Sequence, residues 1–224
     1  MCKIKIFLML FLSIFVLIGM SENSFAIIDL TFEGLQDQEA IQNYYNGGFG
    51  GSGSGPGPNY GITFGADSLA IISGAEGGTG NFSGSPTVPT IAFFLNGAGD
   101  VMDVPAGFTT GFSFYYSSPF YSGQVDVYSG LDGTGDLLAS LILPFTPSEP
   151  GTPGCPYGVY CPWLPMGIAF SGTAQSAIFT GVADYIGFDN ITLGSDVPVG
   201  VPEPATLILL GFGLAGLATL RKNI

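Results

Sequence analysis

From Ile27 to Leu193 the chain is cut into short pieces. Runs rich in β-branched and aromatic residues, five to ten residues long, alternate with clusters of Gly, Pro, Ser and Asn. The 36 Gly and 16 Pro supply most of the breaks, and neither is tolerated well inside a helix. The runs are IIDLTFE from Ile27, YGITF from Tyr60, SLAII from Ser68, TIAFFL from Thr90, DVMDV from Asp100 and FTTGFSFYY from Phe108. They continue with GQVDVYS from Gly123, DLLASLIL from Asp136, GIAFSG from Gly167, QSAIFTG from Gln175 and DYIGFDNITL from Asp184. In GQVDVYS, Val125 and Val127 fall on one face and Gln124, Asp126 and Tyr128 on the other. The SGLDGTG that follows carries an Asp-Gly hairpin signal. In FTTGFSFYY the same alternation buries Phe112, Phe114 and Tyr116 and leaves Tyr115 outside. Only LQDQEAIQNYY, after Gly34, predicts a helical turn or two. Short strands with tight turns need a second layer to bury their apolar faces. Residues 27–196 therefore predict an all-β fold, an antiparallel two-sheet sandwich of jelly-roll type.

Charge narrows the function. The four Lys and Arg are Lys3, Lys5, Arg221 and Lys222, and there is no His, so no basic side chain lies between Ile27 and Leu220. Glu22 falls in the leader described below, which leaves 16 of the 17 acidic residues beyond it. Nucleic-acid binding lacks its phosphate partners. Ser-His-Asp and Cys-His sites lack their base, phosphoryl transfer its cationic clamp, and no lysine is present for a Schiff base. A zinc site would have to form without histidine. Oxygen-ligand chemistry survives: hard cations such as calcium, and carboxylate pairs. No organic cofactor is expected.

Both ends read as handling signals. Residues 1–26 have a charged start at Lys3 and Lys5, an apolar run from Ile6 to Met20 and a small-x-small site at Ser24-Phe25-Ala26, which predicts cleavage between Ala26 and Ile27. Cys2 leaves with this segment, so Cys155 and Cys161 remain. In an exported protein the pair predicts a disulfide worth about 2 kcal/mol, and six apart is the wrong spacing for a C-x-x-C redox motif.

Residues 197–224 run from a Pro-Glu-Pro element into an apolar stretch, Ala205 to Leu220, and a basic end. Sixteen residues make a helix of roughly 24 Å against a hydrocarbon core near ~30 Å, which snorkelling by Arg221 and Lys222 can offset. Those cations keep the far end cytoplasmic and the body outside. Pro202, Glu203 and Pro204, the apolar run and the basic end resemble the PEP-CTERM sorting signal of Gram-negative bacteria. The resemblance implies recognition of Pro202-Glu203-Pro204 by exosortase, with Arg221 and Lys222 setting topology. It also implies a transient inner-membrane anchor, removal of the tail and passage of the body to the cell surface or extracellular matrix. A plain C-terminal anchor is the alternative.

Three features of the body point to sites. In GFDNITL, apolar residues at Ile186 and Phe188 keep a period of two, but the next are Ile191 and Leu193, which predicts a β-bulge at Asp189-Asn190. Asp29 and Glu33 lie on the first run, and first and last strands often pair in jelly rolls. This F-E and F-D-N-I pattern resembles bacterial carbohydrate-binding-type jelly rolls with a structural calcium, which implies Glu33 and Asp189 as metal ligands, with Asp29 as a third. The alternative is that these are strand-end acids facing water.

Two loops are long. GGFGGSGSGPGPNYG from Gly47 reads as a flexible surface loop. The second carries Pro144, Pro147, Pro150, Pro153, Pro156, Pro162 and Pro165 on a period of three, which suits a stiff segment crossing between sheets or a polyproline ribbon for a partner. Tyr157, Tyr160 and Trp163 sit there, with ring faces on which sugars stack; alternatively they seal a sheet edge.

These features predict an exported, exosortase-sorted surface or matrix protein, non-catalytic, with polysaccharide as a candidate partner. A glycoside hydrolase using two carboxylates, for which Asp126, Asp132 and Asp136 crowd one hairpin, and a purely structural coat protein are the alternatives.

Overall fold

The computed structural model describes residues 27–97, 99–152 and 154–200. The expected leader, its cleavage site and the sorting tail from residue 201 lie outside these. Among the described residues no helix is long and apolar enough to cross a membrane.

The period-two runs pair into twelve strands: β1 (Ile28–Leu30), β2 (Glu39–Ala40), β3 (Thr63–Phe64), β4 (Ser68–Ile72), β5 (Thr90–Phe94), β6 (Gly99–Phe108), β7 (Gly111–Ser117), β8 (Gly123–Tyr128), β9 (Leu137–Leu143), β10 (Leu164–Ala169), β11 (Ala174–Thr180) and β12 (Gly187–Leu193). One sheet runs β10-β7-β12-β5-β4-β2, with β1 also paired to β12; the other runs β3-β6-β11-β8-β9. Every strand pair is antiparallel. From β5 onward successive strands distribute as β5-β12-β7-β10 and β6-β11-β8-β9, the two interlocked Greek keys of a jelly roll.

The core lies between the sheets. Phe112, Phe114 and Tyr116 of β7 meet Val125 and Val127 of β8, Phe179 of β11 and Phe188 of β12, as the alternation predicts. Phe188 packs edge-on to Phe114 at 5.6 Å and to Phe179 at 4.9 Å between ring centroids. Burying a large apolar side chain of this kind stabilises by roughly 1.5–3 kcal/mol. The hairpin between β8 and β9 turns on Asp132 and Gly133, both left-handed at φ 54° and 66°, which suits the Asp-Gly pair.

Two expectations fail. The stretch from Leu35 to Tyr45 forms no helix; it makes successive turns, Tyr44 N–H to Ile41 C=O at 3.0 Å and Asn46 N–H to Asn43 C=O at 3.0 Å, around the short β2. Its apolar residues Leu35, Ile41, Tyr44 and Tyr45 all reach the core, so packing overrides the weak helical pattern. The Gly-rich loop is not loose either. Glu39 on β2 is fully buried, and its carboxylate accepts the N–H of Gln36 (2.7 Å), Ser52 (2.8 Å) and Ser54 (3.0 Å), pinning the loop to the sheet. Gly50 must be glycine there, since a Cβ would stand 2.5 Å from Glu39 Oε1.

The Pro-rich loop crosses from β9 in one sheet to β10 in the other and folds over the outer face of the larger sheet. Trp163 packs with Phe82 and Ile91 in a second, smaller core, joined by Ile71, Tyr115 and Tyr160. This outer layer explains why all seven residues of β12 are buried: both faces of that central strand are covered.

Candidate functional site

A groove of about 450 Å³ opens beside this second core. Its strand-borne lining is Ile71 of β4, Ile91 and Phe93 of β5 and Gly187 of β12; loops add Thr79, Asn81 and Phe82, then Phe120, then Val159 and Tyr160, then Asp184 and Tyr185. Gly187 keeps the neighbouring packing tight, since a Cβ there would meet Trp163 Cη2 at 2.9 Å and Ile91 Cδ1 at 2.8 Å.

Tyr160 ties three of these loops together. Cys155 and Cys161 form the expected disulfide next to it. The N–H groups of Val159 and Tyr160 donate to Asn81 C=O at 3.0 and 3.1 Å, and Tyr160 Oη donates to Asp184 C=O at 2.6 Å. Burial, then the neighbouring Asp184 and Tyr185, push the Tyr160 hydroxyl up to about 12, so it stays neutral across the ordinary pH range. Phe120 meets Tyr160 and Tyr185 edge-on at 6.4 and 5.7 Å, and Tyr121 meets Tyr185 at 4.9 Å. Ser118 Oγ lies 2.6 Å from Tyr121 C=O and 3.2 Å from Tyr185 C=O, bracing the cluster from behind. Phe120 is 54 %, Tyr121 46 % and Tyr185 36 % exposed, so a packed group of rings faces water around a concave surface. Contiguous exposed rings beside a groove make this surface the candidate site.

Of the aromatics expected to face a ligand, only Tyr160 lines the groove. Tyr157 is exposed, with its carbonyl held by Ser83 Oγ, but lies outside the lining. Trp163 is a correction: it is only 8 % exposed, its ring edge-on to Phe82 and its Nε1 donating to Ser83 C=O at 3.0 Å, because a side chain this large beside a strand is better buried under the loop than left in water. Sequence reasoning missed Asn81, Phe93, Phe120, Asp184 and Tyr185. The adjacent Phe120 and Tyr121, just after the break at Pro119, were the available signal; the rest come together only in three dimensions.

A second cluster lies further along β12. The expected bulge is present: on the β7 side the register shifts between Asp189 and Thr192, and Asn190 is left-handed at φ 47°. With Phe188 and Ile191 both in the inter-sheet core, the extra residue turns Asp189 and Asn190 together away from it. The expected pairing of β1 with β12 holds, setting Asp29 opposite Thr192. Asn190 Nδ2 donates to Asp29 Oδ2 at 3.0 Å, and Thr192 Oγ1 lies 3.3 Å from Asp29 Oδ1. Asp189 accepts the N–H of Thr87 at 2.9 Å and of Asn190 at 2.8 Å, and Glu33 accepts the N–H of Thr90 at 3.0 Å. Burial is the main force raising all three carboxyls, and for Asp189, raised well above the usual range, the fields of Glu33 and Asp29 add to it. Asp189 is fully buried, whereas Asp29 and Glu33 are half-buried.

Calcium takes six to eight oxygens at about 2.3–2.6 Å. Among the described residues no three Asp, Glu, Cys or His side chains converge as a metal-binding group. In donor chemistry the cluster nevertheless suits a hard cation, offering carboxylate oxygens uncompensated by any base, with Asp189 buried, Glu33 half-buried and Asp29 turned to Asn190 and Thr192.

Residues 200–222 match the PEP-CTERM protein-sorting motif. No curated protein matches the chain. Among solved structures the chain is similar to the K2 cleaved adhesin domain of Lys-gingipain, at 16 % identity over 76 % of this chain and 100 % of that one, TM-score 0.47. It is also similar to a β-1,3-glucan-binding CBM6 from Bacillus halodurans, at 16 % identity over 58 % and 87 %, TM-score 0.36. A third is a carbohydrate-binding module of Cellvibrio mixtus lichenase 5A in complex with cellotriose, at 13 % identity over 58 % and 88 %, TM-score 0.33.

Proposed function

We propose that this is an exported surface or matrix protein of a Gram-negative bacterium, sorted by exosortase through its PEP-CTERM tail, whose jelly-roll domain binds polysaccharide without catalysis. The observation that supports the binding reading is the groove, which sets the exposed rings of Phe120 and Tyr185 and the half-buried ring of Tyr160 beside the hydrogen-bonding side chains of Asn81 and Asp184. A sugar ring needs both, an apolar face to stack and partners for its hydroxyls. A two-carboxylate hydrolase needs a pair roughly 5–9.5 Å apart across the bond it cuts. The groove lining contains a single carboxylate, Asp184, and Asp126, Asp132 and Asp136 are not in it, which favours a binder.

The test is affinity retention of the full chain, held in a detergent without a sugar headgroup, on the host's own extracellular polysaccharide. Wild type should be retained, and Phe120→Ala with Tyr185→Ala should weaken binding at least about tenfold, the usual weight of central aromatic anchors. Equal retention of variant and wild type rejects the groove; no retention of either favours the purely structural coat. Calcium enters as a second part of the proposal: an ion held by Glu33 and Asp189 would supply the positive charge that the domain lacks and brace the junction of β1, β5 and β12.

A further inference from the structure

We infer that the groove selects uncharged glycans, and that Asp184 is the residue that sets this selectivity; the inference rests on the polysaccharide-binding reading. Asp184 carries the single carboxylate of the lining, which holds no Lys, Arg or His. Its backbone is fixed at both ends: its N–H donates to Phe94 C=O at 2.8 Å and its carbonyl accepts Tyr160 Oη at 2.6 Å. Its carboxylate accepts no hydrogen bond from the described residues, and the residue is exposed beside Tyr185 at the mouth. A free carboxylate in a rigid frame is a strong acceptor for hydroxyl groups.

The same charge repels a uronate or sulfate placed against it, and no side chain of the domain offsets the repulsion. No Lys, Arg or His exists between Ile27 and Leu220, so no ion pair is available to an acidic sugar. The other acids add a negative field that extends beyond the groove. Hydroxyl-rich neutral chains meet only the favourable half of this arrangement. Acidic chains meet both halves, and the unfavourable half is electrostatic, so it weakens as salt shortens the Debye length from about 10 Å at 0.1 M to about 3 Å at 1 M.

The experiment uses the full chain in a detergent without a sugar headgroup, on an array carrying neutral, uronate-bearing and sulfated oligosaccharides, in 50 mM NaCl with chelator present. Neutral glycans should bind and acidic ones of matching backbone should bind on the order of tenfold more weakly or not at all. In 1 M NaCl the gap should shrink while neutral binding holds steady. Asp184→Asn should weaken neutral binding and narrow the gap, with its thermal unfolding unchanged as the check on folding. An acidic glycan that binds at low salt as tightly as its neutral counterpart overturns the selectivity. A gap that Asp184→Asn leaves intact overturns the role of Asp184. Silence across the whole array instead sinks the polysaccharide-binding reading itself.

Discussion

Glu39 and Asp100 are both buried acids in a domain without a single basic side chain, yet their surroundings act on them in opposite directions. Burial pushes Glu39 up, but hydrogen bonds from the Ser54 hydroxyl and from the N–H groups of Gln36, Ser54 and Ser52 outweigh it and hold the carboxyl below its usual value. Burial pushes Asp100 up to about 7; Ser68 Oγ and the Val101 N–H oppose it, and Asp67 and Asp103 add to it. Asp100 Oδ1 has no partner among the described residues. The difference lies in the neighbouring backbone. Glu39 faces a Gly-rich loop whose N–H groups are unclaimed and able to converge on an anion. Asp100 lies on β6, paired with β11, where only the Ser68 hydroxyl and the Val101 N–H reach its carboxyl. A loop can neutralise a buried charge; a sheet leaves it to a proton.

The largest break of this comparison should come at Glu39. Glu39→Ala leaves several buried N–H groups without acceptors and should cost about 4 kcal/mol in urea unfolding, while Glu39→Gln, which keeps an acceptor, should cost about half as much. A loss under about 1 kcal/mol for Ala would show that the loop holds itself.

The next effect is in pH. Asp100 has a folded pKa near 7 against an ordinary value of 3.8, so its neutral form stabilises the fold most fully below about pH 4. That contribution drains away as pH rises from about 4 through about 7, a loss on the order of 4 kcal/mol. Asp100→Asn, neutral throughout, should flatten this part of the stability curve; an unchanged slope in the variant assigns it elsewhere. Glu39 works the other way, contributing stability above its unfolded pKa that is lost as pH falls through its lower folded value.

Asp189 tests a third solution, a cation from outside. With Glu33 and Asp189 holding calcium, a chelator should lower the melting temperature of wild type by on the order of 5 °C and leave Asp189→Asn unmoved, and added calcium should restore it. A wild type indifferent to chelator excludes the ion.

Much of the fold was legible in advance, because strand faces and turns are written in neighbouring residues. Val125 and Val127 alternate into the core, Asp132-Gly133 turns the hairpin, and the three-residue gap between Phe188 and Ile191 announces the bulge. The groove was not legible. Asn81, Phe120, Tyr160 and Asp184 are far apart in the chain and meet only because β5 and β12 pair and two loops fold over them. Trp163 misled for the same reason: a large ring in a loop reads as exposed until the sheet beneath it is known.

The sequence by itself determined an all-β chain, the absence of any base in its body, the disulfide partners and the sorting tail, since these depend on composition and on spacing over a few residues. Only the tertiary structure decided which acids are buried, which of them find N–H donors and where the rings form a concave surface. Those properties belong to backbone and side chains brought together across long separations, and no local pattern encodes which distant neighbour will arrive.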